Sequence, residues 1–263
     1  MTQDVGTGDS SEQPIRLGGA LITMVEPHRG HEVAYNRWYE RDHFYAGCMI
    51  GAWTVAGSRY VATRDLKALR YPKDSPICPD PNRGSYIAIY WILAGKFTEW
   101  LRWSTDQVQW LHENGRMFAA RDHVHTSMYR FRSEYRSRAD GVPVELALDH
   151  RSPYLVFLVG RPRAGRTLDD VDAFLRERAL GEVAASFVPV PLLGDAPSDV
   201  PRTDDSDRFA LLAFVDGEIG PVWDSTFASL GRELAAADTA DLLFVSPFRK
   251  TIVGTDTYTG ELW

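Results

Sequence analysis

His43 is the residue whose type best suits proton transfer. An unperturbed imidazole titrates near neutrality, so it can take up and return a proton. It ends the run Trp38-Tyr39-Glu40-Arg41-Asp42-His43. Tyr39 lies four residues earlier, on the same helical face, where a phenol can donate to a developing oxyanion, as can Tyr35. Asp42 adjoins His43 and on a helix points about 100° away. If buried it needs a partner, Arg59 or Arg37, or it acts as a general base with a raised pKa. Tyr35, Trp38, Asp42 and Tyr45 form a second stripe, read either as pocket wall or as core facing a sheet. Trp91 adds bulk to such a pocket, and His31, at the helix entry, suits its mouth. The competing reading of His43 is a helix-end or core histidine bonded to a carbonyl.

His123 and His125 make an H-x-H pair. Strand alternation predicts both imidazoles on one face, about 6.5–7 Å apart at Cα. That spacing suits one transition metal if His43, Asp42, Asp122 or Glu113 adds a third ligand. Otherwise the pair is a solvent-face or loop feature, and the primary reading assigns no metal and no cofactor. His112, near a helix end, reads as structural. The chain has no phosphate loop, GxGxxG or GxSxG. Gly160–Arg166, GRPRAGR, lacks nucleotide-motif spacing and reads as a loop. Cys48 reads as a small buried hydrophobe and Cys78 as part of a proline-rich loop, with no CxxC partner.

These residues must be held by a folded core. The 263 residues are 44% hydrophobic and 25% charged, with eight tryptophans, which is ample for burial. A net charge of −7 argues against nonspecific nucleic-acid binding. No apolar run approaches the ~20 residues of a membrane span, and the polar start is no signal peptide. The expectation is a soluble, cytoplasmic protein.

Apolar periodicity predicts strands at Gly18–Val25, Ala52–Thr63, Tyr86–Leu93 and Val124–Phe131. Helices are predicted at His31–Ile50, stopped by Gly51 through positive φ, and at Phe97–Met117, carrying Trp100, Trp103 and Trp110. After a connector at 138–152 the order repeats. Strands fall at Tyr154–Val159, Ser186–Leu193, Phe209–Val215 and Leu242–Val253, and helices at 167–184 and Pro221–Ala237. Pro189 and Pro191 place the Ser186–Leu193 strand at a sheet edge. The fold class is α+β: two tandem βαββαβ ferredoxin-like halves forming an intramolecular barrel. A flexible tail covers 1–15, the site-bearing half 16–138 and a structural half 150–263, with an acidic loop at 194–207.

The Trp38–His43 run, followed by Gly51 and a strand with Arg59-Tyr60, resembles the dimeric α+β barrel superfamily, and within it the EthD-like branch. The match spans about residues 18–131. The second half agrees only in element order, and Phe44-Tyr45 stand where that branch commonly has an aliphatic-proline pair. The resemblance implies a small-molecule enzyme acting on a largely apolar polyketide-, aromatic- or terpenoid-like substrate. Its chemistry would be cofactor-free proton transfer: cyclisation, isomerisation, dehydration or decarboxylation. A cofactor-free monooxygenase, a metal-dependent enzyme and a non-catalytic binding protein are the alternatives, and the superfamily also has haem-binding branches. The expected partner is a small hydrophobic substrate, with no nucleic acid and no membrane, and homodimerisation open. The second half's first helix, TLDDVDAFLRERALGEVA, has no Trp, Tyr or His. One site per chain, in the first half, is therefore expected.

Overall fold

The computed structural model describes residues 15–191 and 206–263. The expected tail before Ile15 and most of the 194–207 loop lie outside them. The described residues form eight strands, interspersed with helices. They are β1 (Leu17–Pro27), β2 (Thr54–Val61), β3 (Tyr86–Leu93), β4 (Arg121–Arg136), β5 (Tyr154–Pro162), β6 (Val183–Val190), β7 (Phe209–Val215) and β8 (Ala240–Lys250). The helices are α1 (Glu32–Trp38), α2 (Arg64–Ala68), α3 (Phe97–Glu113), α4 (Leu168–Arg176), α5 (Ile219–Val222) and α6 (Ala228–Ala236). Helix α1 continues into π-helical turns at Tyr39–His43 and Tyr45–Met49. A similar turn at Trp223–Phe227 joins α5 to α6.

The strands close into one barrel, in the order β1-β3-β2-β8-β5-β7-β6-β4. Cut at its two seams, the ring reads β4-β1-β3-β2 and β8-β5-β7-β6, the same order for each half. All pairings are antiparallel. The halves therefore share one continuous ring instead of two separate sheets laid face to face. The seams differ in length. β4 and β6 pair from Met128↔Val190 to Arg136↔Val183, whereas β2 and β8 pair only at Tyr60↔Lys250 and Val61↔Arg249.

A closed ring explains the strands with no polar relief. Along β3, Ile87, Ile89 and Trp91 fill the barrel, while Tyr86, Ala88, Tyr90 and Ile92 meet the helices outside. Successive side chains point to opposite faces, and here both faces are covered. A ring also has no edge, so the edge placement of Pro189 is corrected. The β7 ladder on β6 ends at Phe187↔Ala210, and Pro189 lies beyond it, paired to Tyr129 of β4. The helix expected at 167–184 ends at Arg176, and Gly181, at φ 126°, turns the chain into β6. Gly51 acts by close approach instead of positive φ: a Cβ there would sit 2.2 Å from the Trp103 ring.

After β8 the chain returns to the first half. Asn36 Nδ2 donates to the Thr255 carbonyl (2.9 Å), and Arg37 grips Asp256 through Nε and Nη2. The Gly254 amide donates to Glu40 (2.9 Å), and Lys67 Nζ donates to the Leu262 carbonyl (2.9 Å). The C-terminal segment is thus strapped across the helix that carries the candidate site.

Candidate functional site

Between the outer face of β1, β3 and β4 and the helices above them lies a cavity of about 110 Å3. Its walls are mostly apolar, with Leu21, Val25, Leu101, Val108 and Met128 among them. The polar groups reaching it include Tyr39, His43, Tyr90, Arg121, His123 and Thr126.

His43 is held on three sides. Trp38 stacks on its ring at 4.5 Å between centroids and 18° between planes. The Tyr39 ring meets it edge-on at 5.3 Å. Gly47, one turn on, leaves the space the imidazole fills: a Cβ there would lie 3.1 Å from Cε1 and 3.3 Å from Nδ1. Nδ1 is sealed, with no hydrogen-bond partner among the described residues. Burial, with smaller contributions from Arg121 and His123, pushes the His43 pKa down to about 3. The ring is therefore neutral at physiological pH.

Tyr39 and Tyr90 hydroxyls lie 2.9 Å apart, both buried. Burial raises both phenols far above their ordinary value, so each stays protonated. Behind the pair, the buried guanidinium of Arg59 lies 4.4 Å over the Tyr39 ring and 5.0 Å over that of Tyr86. Arg59 pairs with Glu40 at 3.3 Å and donates to Asn36 Oδ1 at 3.1 Å. Across the cavity, Thr23 and Thr126 hydroxyls are 2.8 Å apart, and Thr126 Oγ1 is 2.8 Å from His123 Nδ1. Ser104 and Thr105 already donate to the Leu101 carbonyl. Cys48 lines the cavity as a thiol, its pKa pushed up to about 12 by burial.

Several expected positions are corrected. Asp42 lies outside the cavity, half exposed, in an ion pair with Arg116, not with Arg59 or Arg37. Tyr45 is 49% exposed, and His31 is exposed with its ring against Phe118. Trp91 points into the barrel, where Nε1 donates to the Val144 carbonyl (3.0 Å), because alternation gives the outward face to Tyr90. Tyr35 is buried behind the cavity wall among Trp38, Tyr39, Tyr86 and Phe118. Trp38 backs His43 and donates from Nε1 to the Arg116 carbonyl (2.9 Å).

The H-x-H pair is split by a β-bulge. β1 pairs Met24 with His125 and then Val25 with His123, so Val124 is the extra residue. His123 consequently lines the cavity. His125 turns into the barrel, 2.8 Å from the Tyr129 hydroxyl and packed on Phe157. Imidazoles on opposite faces cannot chelate one metal, and the described residues contain no group of three His, Cys, Asp or Glu arranged to hold one. Haem does not fit the cavity either. Its volume of about 110 Å3 is far too small for a tetrapyrrole macrocycle.

Sequence reasoning missed Thr23, Arg121, Thr126, Tyr90 and Gly47. Only Gly47 carried a usable local signal, because a glycine inside a helix costs about 1 kcal/mol against alanine and calls for a packing reason. In the second half, α4 occupies the position of α1. It carries the buried Asp172, closed in by Arg132 (2.7 Å), Ser133 (2.9 Å) and Tyr135. No helix among the described residues is long and apolar enough to cross a membrane.

Neither a protein-family model nor a curated protein matches the sequence. Solved structures do. One is a protein provisionally assigned as a chlorite dismutase, 15% identical, with a TM-score of 0.52, covering 94% of this chain and 100% of its own. An anthrone oxidase-like protein is 10% identical, with a TM-score of 0.48, covering 92% and 98%. A provisionally assigned monooxygenase from Fusobacterium nucleatum is 7% identical, with a TM-score of 0.47, covering 89% and 93%. What the chain shares with the first of these is its fold, the α+β barrel of two ferredoxin-like halves.

Proposed function

We propose that the chain is an enzyme that moves a proton on a small, largely apolar molecule bound in the first-half cavity, with no cofactor. The observation that carries this is His43: a neutral imidazole packed into an apolar cavity, beside phenols that burial keeps protonated. In the empty cavity such an imidazole is a weak base, because burial and the Arg121 charge both oppose imidazolium. A substrate that becomes an oxyanion as its proton leaves reverses that balance. The developing negative charge favours imidazolium, and the Tyr39–Tyr90 pair and Arg121 favour the oxyanion. The site thus gains interactions as the proton moves, which is the condition for lowering a barrier instead of merely binding.

The step balances without other reagents. The C–H bond next to a carbonyl breaks, its electron pair forms a C=C bond, and the carbonyl π pair moves to oxygen. His43 takes the proton and returns it to carbon. Isomerisation, or elimination of a leaving group at the adjacent carbon, follows from the same intermediate.

Hydrogen–deuterium exchange in D2O tests this. Cyclohexanone serves as the carbon acid, with proton loss next to the carbonyl followed by NMR. The native chain is expected to accelerate exchange, and His43→Ala to lower it by about 10²–10⁴ while the circular dichroism is unchanged. Undiminished exchange in a folded His43→Ala variant overturns the role.

A further inference from the structure

The cavity has a charge pattern that proton transfer alone does not call for. Strand β4 enters the cavity wall with Arg121-Asp122-His123, paired to Pro27, Glu26 and Val25 of β1. Alternation gives the first and third of these one face and the second the other. Arg121 and His123 accordingly line the cavity. Asp122 turns away, to His28 Nε2 at 3.2 Å and to the Arg83 guanidinium. The strand thus brings its basic pair to the cavity and takes the acid between them elsewhere.

The rest of the lining keeps this sign. Beside Arg121 and His123 it holds the His43 imidazole and, among the described residues, no Asp or Glu. The chain as a whole has the opposite balance, 36 acidic residues against 29 basic. Carboxylates on the neighbouring elements are engaged elsewhere: Asp42 with Arg116, Glu40 with Arg59, and Glu26 with the Ser85 amide at 2.7 Å. Arg121 is held in place. Its Nη1 donates to the Phe118 carbonyl (2.6 Å), and its guanidinium lies 5.5 Å from the centre of the Trp38 ring, which itself stacks on His43. His123 is held through Nδ1 by Thr126 Oγ1 at 2.8 Å. The field of this pair reaches the imidazole, since Arg121 and His123 both oppose its protonation. The remaining wall is mostly apolar, and a charge in such surroundings acts more strongly than in water.

We propose that the cavity takes an organic acid, with an apolar body against the aliphatic wall and a carboxylate that pairs with Arg121 beside His123. A neutral ligand gains little from the cation, whereas a carboxylate accepts charge-assisted hydrogen bonds from the guanidinium. The consequence for catalysis rests on the proton-transfer reading, but binding alone can test the proposal. A carboxylate offsets the Arg121 charge that opposes imidazolium, so the ligand itself makes His43 a better base. The substrate class is then a carboxylic acid that also bears the carbonyl next to which the proton is lost.

Calorimetry on the full chain, with butyrate, hexanoate and benzoate each set against its amide, is the experiment. The amide keeps the shape and lacks the charge. The acid that binds best is expected to exceed its amide at least about tenfold. Arg121→Met keeps an unbranched stem and removes the cation, so it should erase most of that preference while amide binding holds. Arg102→Met, at an exposed position of α3, makes the same change in net charge and should leave the preference intact. NMR of the methionine methyl groups in the native chain gives a readout independent of variant folding. The signals of Met117 and Met128, which line the cavity, should shift as the acid is added. Four results overturn the proposal: no binding of any acid, an amide bound as tightly as its acid, unmoved Met117 and Met128 signals, or a preference that survives in folded Arg121→Met or is lost equally in Arg102→Met. The two proposals fail separately. Arg121-dependent acid binding without His43-dependent exchange sinks the reaction alone, and His43-dependent exchange of cyclohexanone with no preference for acids sinks the charge of the substrate alone.

Discussion

Gly47→Ala separates the candidate site from the stability of the fold. Gly47 lies in the π-helical turn Tyr45–Met49, without a positive φ, so alanine suits its backbone and brings about 1 kcal/mol of helical preference. The new Cβ would sit 3.1 Å from His43 Cε1, 3.3 Å from Nδ1 and 3.4 Å from Nε2. Carbon atoms pack best at roughly 3.5–4.0 Å, so the ring must withdraw by about half an ångström. Trp38 blocks its far face, stacked at 4.5 Å between centroids, which leaves a tilt as the way out. Overpacking of this kind costs about 1–3 kcal/mol, of which helix preference returns a part. Net stability should fall by no more than about 2 kcal/mol. The imidazole, however, leaves its aligned position, and a misplacement of about 1 Å can cost ~100-fold in rate. Urea denaturation and the ketone exchange assay, on the same preparation, should show a slight loss of stability with exchange slowed about 10- to 100-fold. Exchange at the native rate would refute the claim that Gly47 exists to seat His43.

His43 should also shape the pH dependence of stability. Its folded pKa, about 3, lies below the ordinary 6.5, so its contribution is complete above pH 6.5 and drains away as pH falls towards 3. Denaturation midpoints should decline across that window in the native chain and less steeply in His43→Phe, and the His43 Cε1 proton should not titrate between pH 5 and 8. Asp42→Asn removes only a half-exposed pair with Arg116, so stability should shift by less than about 1 kcal/mol with exchange unaltered; a tenfold loss of exchange would place Asp42 in the chemistry after all. Asn36→Ala breaks a buried bridge from Arg59 Nη1 to the Thr255 carbonyl and should cost about 2–3 kcal/mol by urea denaturation. A loss under about 0.5 kcal/mol would mean that the C-terminal strap does not depend on it.

Where the sequence was legible, the signal was local. The all-apolar Tyr86–Leu93 run marked a strand covered on both faces, and a closed barrel gives it two. The tyrosine and histidine at positions 39 and 43 shared a face because they are one turn apart, and they meet at the cavity. What escaped was non-local or off-register. Nothing in the neighbourhood of Asp42 announces Arg116, 74 positions later. Assigning Trp91 to the pocket ignored Tyr90 beside it, since only one of two successive strand residues can face the helices. The single extra residue Val124 reversed the relation between His123 and His125, and a bulge without Gly or Pro leaves no mark in composition. Thr23 and Thr126 became neighbours only because β1 and β4 pair across the ring.

A ring of strands is as secure as its shortest ladder. Because β2 and β8 meet only at Tyr60↔Lys250 and Val61↔Arg249, the barrel is mechanically an eight-stranded ribbon fastened by a small clasp. Of the two seams, its strand ladder is the one that gives up fewer bonds on opening. Arg59 adjoins it, with its carbonyl accepting from the Thr251 amide and its guanidinium over Tyr39. Unfastening the clasp would therefore loosen the floor under the tyrosine pair while the β4–β6 seam kept the halves joined.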